Sequence, residues 1–189
     1  FVDIQQVIPT PEAADYMIRM AEKDNEEKSA KGALKSRHEI RLAFWSDALQ
    51  ALREAGCERW QNVNPSKENW LNSAIGVSGL SLTLSLLRHE VRVSLTIARP
   101  VEEENKWFFD RLRENEAEYS DMVGPSLEWH RMDDKKMCWI AIRAPFQGFS
   151  KENWPDMIAW LVDHYRKMDD AFSDPVRSLA ARMNRDRGS

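Results

Sequence analysis

Leucine at every second position is the plainest signal in the chain. Leu80, Leu82, Leu84 and Leu86 alternate with Ser81, Thr83 and Ser85. After an Arg88-His89-Glu90 turn, Val91, Val93, Leu95 and Ile97 alternate with Arg92, Ser94 and Thr96. Successive side chains of a strand point to opposite faces, so the two runs predict half-buried strands joined as a β-hairpin. A shorter strand, Asn72 to Val77, precedes them across Ser78-Gly79. Two further runs, Leu127 to Met132 and Met137 to Ala144, flank an Asp133-Asp134-Lys135-Lys136 turn and predict a second hairpin.

Between and around the strands the period changes to three and four. Ile40, Ala43, Phe44, Ala48, Ala51, Leu52 and Ala55 give one helix a wide apolar face, with Gly56 as its C-terminal cap. Pro100 and Glu102-Glu103-Glu104 open another, its acids at the positive end of the helix dipole, and Gly124-Pro125 stops it. Ser150 is read as the cap of a long final helix carrying Trp154, Met157, Ile158, Leu161, Tyr165 and Met168. Asp174-Pro175 is expected to break that helix and leave a short terminal one with Val176, Leu179, Ala180 and Met183.

Upstream, Thr10-Pro11-Glu12 reads as a helix start, with a narrow stripe at Ala14, Met17, Ile18 and Ala21. From Glu22 to Lys35 almost every residue is charged or small, and Gly32 is expected to interrupt it. The predicted fold class is α+β: one antiparallel five-stranded sheet with helices in the order α-β-β-β-α-β-β-α. Residues 1–35 are expected to be a linker and charged helix, 36–184 the compact domain, and 185–189 a frayed tail. Phe1 to Ile8 reads as an extended opening, without the basic and apolar regions of a signal peptide. The expectation is a fragment of a longer protein, with Phe1 near the end of an earlier domain.

Composition narrows the partners. Over 189 residues, 27 basic and 31 acidic side chains give a net charge of −4, which disfavours a strongly basic polyanion-binding domain. Mean hydropathy is −0.61 and no apolar run approaches the ~20 residues of a membrane-spanning helix, so no membrane partner is expected. The two cysteines, Cys57 and Cys138, are too far apart in sequence for a metal signature and read as reduced thiols of a cytoplasmic protein.

No complete catalytic pattern is legible in the chain. His38, His89, His130 and His164 sit in four different elements without paired spacing. Gly76-Val77-Ser78-Gly79 is a strand-to-strand turn, not a nucleophile elbow, because no helix follows the serine. A metal-dependent nuclease needs an acid followed by an acid-x-Lys on a strand, to hold the metal and orient water. Asp133-x-Lys135, Asp134-x-Lys136 and Glu104-x-Lys106 match the short half of that pattern, but at a hairpin turn and a helix start, where they read as solvated charges. No catalytic residue, metal ligand or cofactor is assigned. Cys138 alternates with Ile140 and Ile142 and is expected in the core.

Two surfaces remain. Trp139, with Met137 and Ala141, lies on the strand face opposite Cys138, the face that carries Ser81, Thr83, Ser85, Ser94 and Thr96. A smooth polar face with one large aromatic suits a partner surface, a nucleic-acid platform or cover by another helix of the same chain; on the first reading Trp139, Met137, Thr83 and Ser85 are the candidate interaction residues. The alternative is nucleic-acid contact through Arg92, Arg177, Arg182 and Arg185. The last three belong to a stretch, 176–189, with four arginines against one acid.

The chain resembles a bacterial domain-of-unknown-function family that commonly closes proteins whose N-terminal half looks like a PD-(D/E)XK nuclease. The resembling stretches are Arg41-Leu42-Ala43-Phe44-Trp45, Trp70 through Gly79, Val91-Arg92-Val93 and Asn105-Lys106 with Phe109. They continue through Leu127-Glu128-Trp129, Lys135-Lys136, and Trp154 with Trp160-Leu161. Together they cover residues 37 to 179 in order. The resemblance implies a non-catalytic C-terminal module of a nuclease-like defence or restriction protein, serving dimerisation or docking of the upstream nuclease-like domain. Its alternative is a module that positions the nuclease on DNA. The element order also resembles that of type III secretion chaperones, small acidic dimers, which by topology alone favours a homodimer.

Overall fold

The computed structural model describes the backbone of residues 11–187 and the side chains of residues 32–186. The extended opening expected at Phe1–Ile8, the Thr10 cap and the side chains of the stripe from Ala14 to Ala21 lie outside the described residues. The chain divides into two units, residues 1–39 and 40–189. What is described of the first is helical backbone only, from Pro11 onward, with exposed side chains from Gly32 to Arg37. Gly32 does not interrupt it: α1 runs unbroken from Pro11 to Glu54. A single glycine costs a helix about 1 kcal/mol, which the good helix formers around it offset.

The second unit has the expected α+β architecture. Its strands are β1 (Trp70–Ala74), β2 (Leu80–Leu86), β3 (Glu90–Ile97), β4 (Glu128–His130) and β5 (Cys138–Pro145), all antiparallel, in the spatial order β1-β2-β3-β5-β4. β1 is thus shorter, and earlier, than the Asn72–Val77 expected. Chain-reversing turns occupy the rest: Gly76 and Gly79 both take positive φ, +87° and +80°, and a Cβ on Gly79 would lie 2.7 Å from Arg99 Cα. That explains the glycines of Gly76-Val77-Ser78-Gly79 without any catalytic role.

One face of the sheet is the core. Leu71, Leu82, Leu84, Val93, Leu95, Cys138, Ile140 and Ile142 are buried there, as the alternation predicts. They pack under α2 (Glu102–Arg113), α3 (Glu116–Val123), the end of α1 and α4 (Trp154–Arg187). Phe44 of α1 meets Trp154 of α4 edge to face, and Tyr119 of α3 stacks on Phe172 of α4 at 4.5 Å. The helix expected between Pro100 and Gly124 is two, because the chain leaves helical geometry at Asn115 (φ −114°, ψ 31°), a residue that readily abandons it.

The break expected at Pro175 does not occur. α4 passes through it, because Phe172, Val176 and Met183 stay in phase on its buried face, and that burial exceeds the ~3 kcal/mol of an internal proline. Nor does Ser150 cap the final helix: its side chain makes no capping bond, and a 3-10 turn, Lys151–Asn153, intervenes.

Candidate functional site

The opposite face of the sheet is built from small polar residues in three cross-strand rows. Register aligns Trp70, Ser85, Arg92 and Arg143 in one row, and Asn72, Thr83, Ser94, Ala141 and Glu128 in the next. The third row is Ala74, Ser81, Thr96, Trp139 and His130. Thr83 and Ser85 therefore share a face with Trp139, as alternation predicts, while Met137 lies half-buried just before β5 begins. The centre is tied together by hydroxyls: Thr83 donates to Asn72 Oδ1 (2.8 Å), so the Thr83–Thr96 contact (2.9 Å) is donated by Thr96.

Trp139 is held flat on one side of this face. His130, opposite it on β4, stacks on its ring with centroids 3.7 Å apart and planes 16° from parallel. The Arg92 guanidinium carbon lies 5.1 Å from the same ring. Charges surround the stack in alternation. Arg143 donates to Glu128 (2.7 Å) and Glu90 (3.3 Å), and His130 Nε2 is 3.0 Å from Glu128. Burial pushes the Glu128 carboxyl up, but hydrogen bonds from His130 and Arg143 outweigh it and hold the group below its ordinary range. The bonds to Glu128 and Glu90 raise the Arg143 guanidinium in turn. Arg92 Nε is buried without a hydrogen-bond acceptor, and its approach to Glu90, 3.8 Å, is too long for one.

Of the three acid-x-Lys half-patterns, the two at the hairpin turn are exposed as expected and one is not. Glu104 and Lys106 are not solvated charges: both are buried. Glu104 pairs with Arg99 at 2.5 Å. The Lys106 ammonium donates to three backbone carbonyls, Arg131 (2.8 Å), Met132 (2.8 Å) and Lys135 (2.6 Å). Asn105 between them accepts from Arg99 N–H and donates to the Arg99 and Lys136 carbonyls. Asn105-Lys106 thus anchors the β4–β5 turn, in which Met132 takes a left-handed φ of 54°. A lysine whose three protons all point at carbonyls has none left with which to orient a water. Asp133, Asp134, Lys135 and Lys136 are exposed at the tip of that turn. Among the described residues no three His, Cys, Asp or Glu side chains gather to hold a metal.

The candidate arginines are not brought together. Arg92 stands on the polar sheet face, whereas Arg177, Arg182 and Arg185 ride on α4, which packs against the other face. Arg177 is ion-paired with Asp174 one turn before it. Sequence reasoning missed His130, Glu128, Arg143 and Trp70. The first three are legible only once β4 is paired to β5, since hairpin register sets which residues meet. Trp70 carried a weak signal, an indole at the start of a strand with nothing apolar beside it on the same face.

A solved structure described as the crystal structure of the ExsC–ExsE complex is similar over 66% of this chain and 92% of its own, at 15% identity and a TM-score of 0.32. Similarity that loose establishes neither shared function nor shared binding mode. No protein with a curated description matches. Among the described residues no helix is long and apolar enough to cross a membrane. A family model does match, over residues 40–176, which are nearly all of the second unit: the chain belongs to the family described as Domain of unknown function (DUF4268).

Proposed function

We propose that this chain is a non-catalytic docking module, whose polar sheet face holds a protein partner, the nuclease-like part of its parent polypeptide. The observation that supports it best is the Trp139 stack. Three chemically different side chains, Arg92, Trp139 and His130, are held in register on a face where alternation calls only for small polar residues. Such a cluster contributes little to folding, because it lies outside the apolar core. Aromatic and arginine side chains set among small residues are what protein interfaces concentrate at their centres.

Amide hydrogen exchange along β3, β4 and β5 tests this. It is compared between this chain alone and the intact parent polypeptide, each with and without Trp139→Glu. Protection that appears in the parent and disappears in the variant supports docking; identical exchange in all four samples overturns it.

The second reading, a nucleic-acid module that positions the nuclease, is favoured by the guanidinium set over an indole, an arrangement that also binds bases. Against it stand Glu90, which pairs with Arg92 at 3.8 Å, and Glu128, which with Glu90 neutralises the neighbouring Arg143. Binding of duplex DNA that falls steeply with salt and is lost on Arg92→Ala replaces the docking reading with this one.

A further inference from the structure

The two edges of the sheet are defended very differently. β4 is three residues long, with Glu128 and His130 on it and Arg131 after it, the short charged edge that proteins use to prevent strand addition. β1 is Trp-Leu-Asn-Ser-Ala, five residues without a charge or a proline. Its hydrogen-bonding parity is set by Leu86 N–H, which donates to Asn69 O at 2.8 Å. Residues alternate in antiparallel pairing, so Leu71 and Ser73 bond to β2 while Trp70, Asn72 and Ala74 send their N–H and C=O groups out from the edge. Ala74 O does point that way: it accepts from Arg59 Nη1 at 3.0 Å, which leaves the carbonyl a second lone pair.

A knob and a hole lie along the same edge. Trp70 is 45% exposed, among the most exposed large apolar side chains described. Two pleats away an open trough of about 620 Å³ is floored by Ala74, Ser81, Thr96 and Ala98 and walled by Gly76 and Val77. Trp70 and Ala74 are on one sheet face, since both alternate with the buried Leu71 and Ser73.

We propose that two copies of this chain pair through β1, antiparallel about Asn72, to make one continuous ten-stranded sheet. With Asn72 opposite Asn72, Trp70 of each copy falls opposite Ala74 of the other and lies in its trough. The outward N–H and C=O groups of residues 70, 72 and 74 then bond across the two-fold axis, a self-complementary contact that closes on itself. This contact does not depend on the docking reading. Trp139 stands on β5, three strand spacings or roughly 14 Å from β1, so the paired sheet would present two docking faces rather than cover one.

Light scattering on the full chain across a dilution series is the test. Mass should rise from 22.0 kDa toward twice that value with concentration. Asn72→Pro removes an N–H that β2 does not use and should weaken association at least tenfold, as should Ala74→Arg, which fills the trough with charge. Asn72→Cys should cross-link to a covalent dimer under mild oxidation, because the paired Cα atoms of such a site stand about 5.5 Å apart, within disulfide range. The native Cys57 and Cys138 are buried. Trp139→Glu should leave the mass unchanged. A monomer at every concentration, with no cross-link at position 72, overturns the proposal. So does a dimer that survives Asn72→Pro and Ala74→Arg but is lost in Trp139→Glu, which would place the second copy on the docking face.

Discussion

The two faces of one sheet follow opposite rules. On the helix-covered face, Leu82, Leu84, Val93, Leu95 and Ile140 are fully buried. On the other, Thr83, Thr96 and Trp139 are half-exposed and meet through hydroxyl bonds, a ring stack and ion pairs. The first face gains stability from the area it removes from water, so any loss of volume there costs. The second contributes little to folding and is free to be specific. A residue type means different things on the two: Ser73 faces inward and meets Tyr165 OH at 3.4 Å, whereas Ser81 faces outward beside an open trough.

Truncation gives the largest contrast. Leu84→Ala should cost about 4 kcal/mol in denaturant unfolding, through lost burial and a residual cavity. Its neighbour Thr83→Ala should cost about 1 kcal/mol, the net worth of its hydroxyl bonds. Similar losses at both positions would erase the distinction. Next is Lys106→Met, which should cost about 2 kcal/mol although the lysine lies outside the apolar core: Arg131 O and Met132 O keep a donor each, from Cys138 Sγ and Lys135 N–H, but all three carbonyls lose the charged donor that gathers them.

Tyr165 sharpens the inner side by pH. Burial pushes its hydroxyl up to about 12, with the Ser73 hydrogen bond acting against the shift. The folded state therefore holds the phenolic proton after the unfolded chain has released it. Stability from this group is full below pH 10 and is lost as pH rises from about 10 to 12, by roughly 2–3 kcal/mol. Equilibrium unfolding across that range should show the loss, and Tyr165→Phe should flatten it.

On the outer side effects shrink. Trp139→Glu should change unfolding stability by less than about 1 kcal/mol while abolishing the proposed docking, the signature of an interaction residue. The smallest effect concerns Glu128. Its carboxyl is held below the ordinary range, so the support it receives from His130 and Arg143 is present above the ordinary carboxylate pKa and fades as pH falls through the depressed folded value. The carboxyl carbon resonance of Glu128 should report that titration below pH 4.5, and Arg143→Ala should move it back up.

Much of the fold was legible because period-two alternation survives any tertiary arrangement. The β2–β3 hairpin, the burial of Cys138 and the shared face of Trp139, Thr83 and Ser85 all follow from it. Local rules failed where packing outweighed them. Pro175 and Gly32 each read as a helix break, yet both stay helical, the first because Phe172 and Val176 hold α4 in phase against the sheet. Glu104 and Lys106 read as surface charge because nothing in the sequence shows that three carbonyls from residues 131–135 converge on one ammonium.

By itself, then, the sequence determined the class of fold, the strand faces and which apolar residues form the core, since each depends on spacing along one segment. Tertiary structure alone decided that His130 stacks on Trp139, that Glu128 and Glu90 share Arg143, and that Trp70 and the trough at Ala74 lie along one open edge. The physical reason is register. A side chain's direction is set by its neighbours in the chain, but the group it meets is set by how two strands slide past each other, and that is decided by the whole core at once.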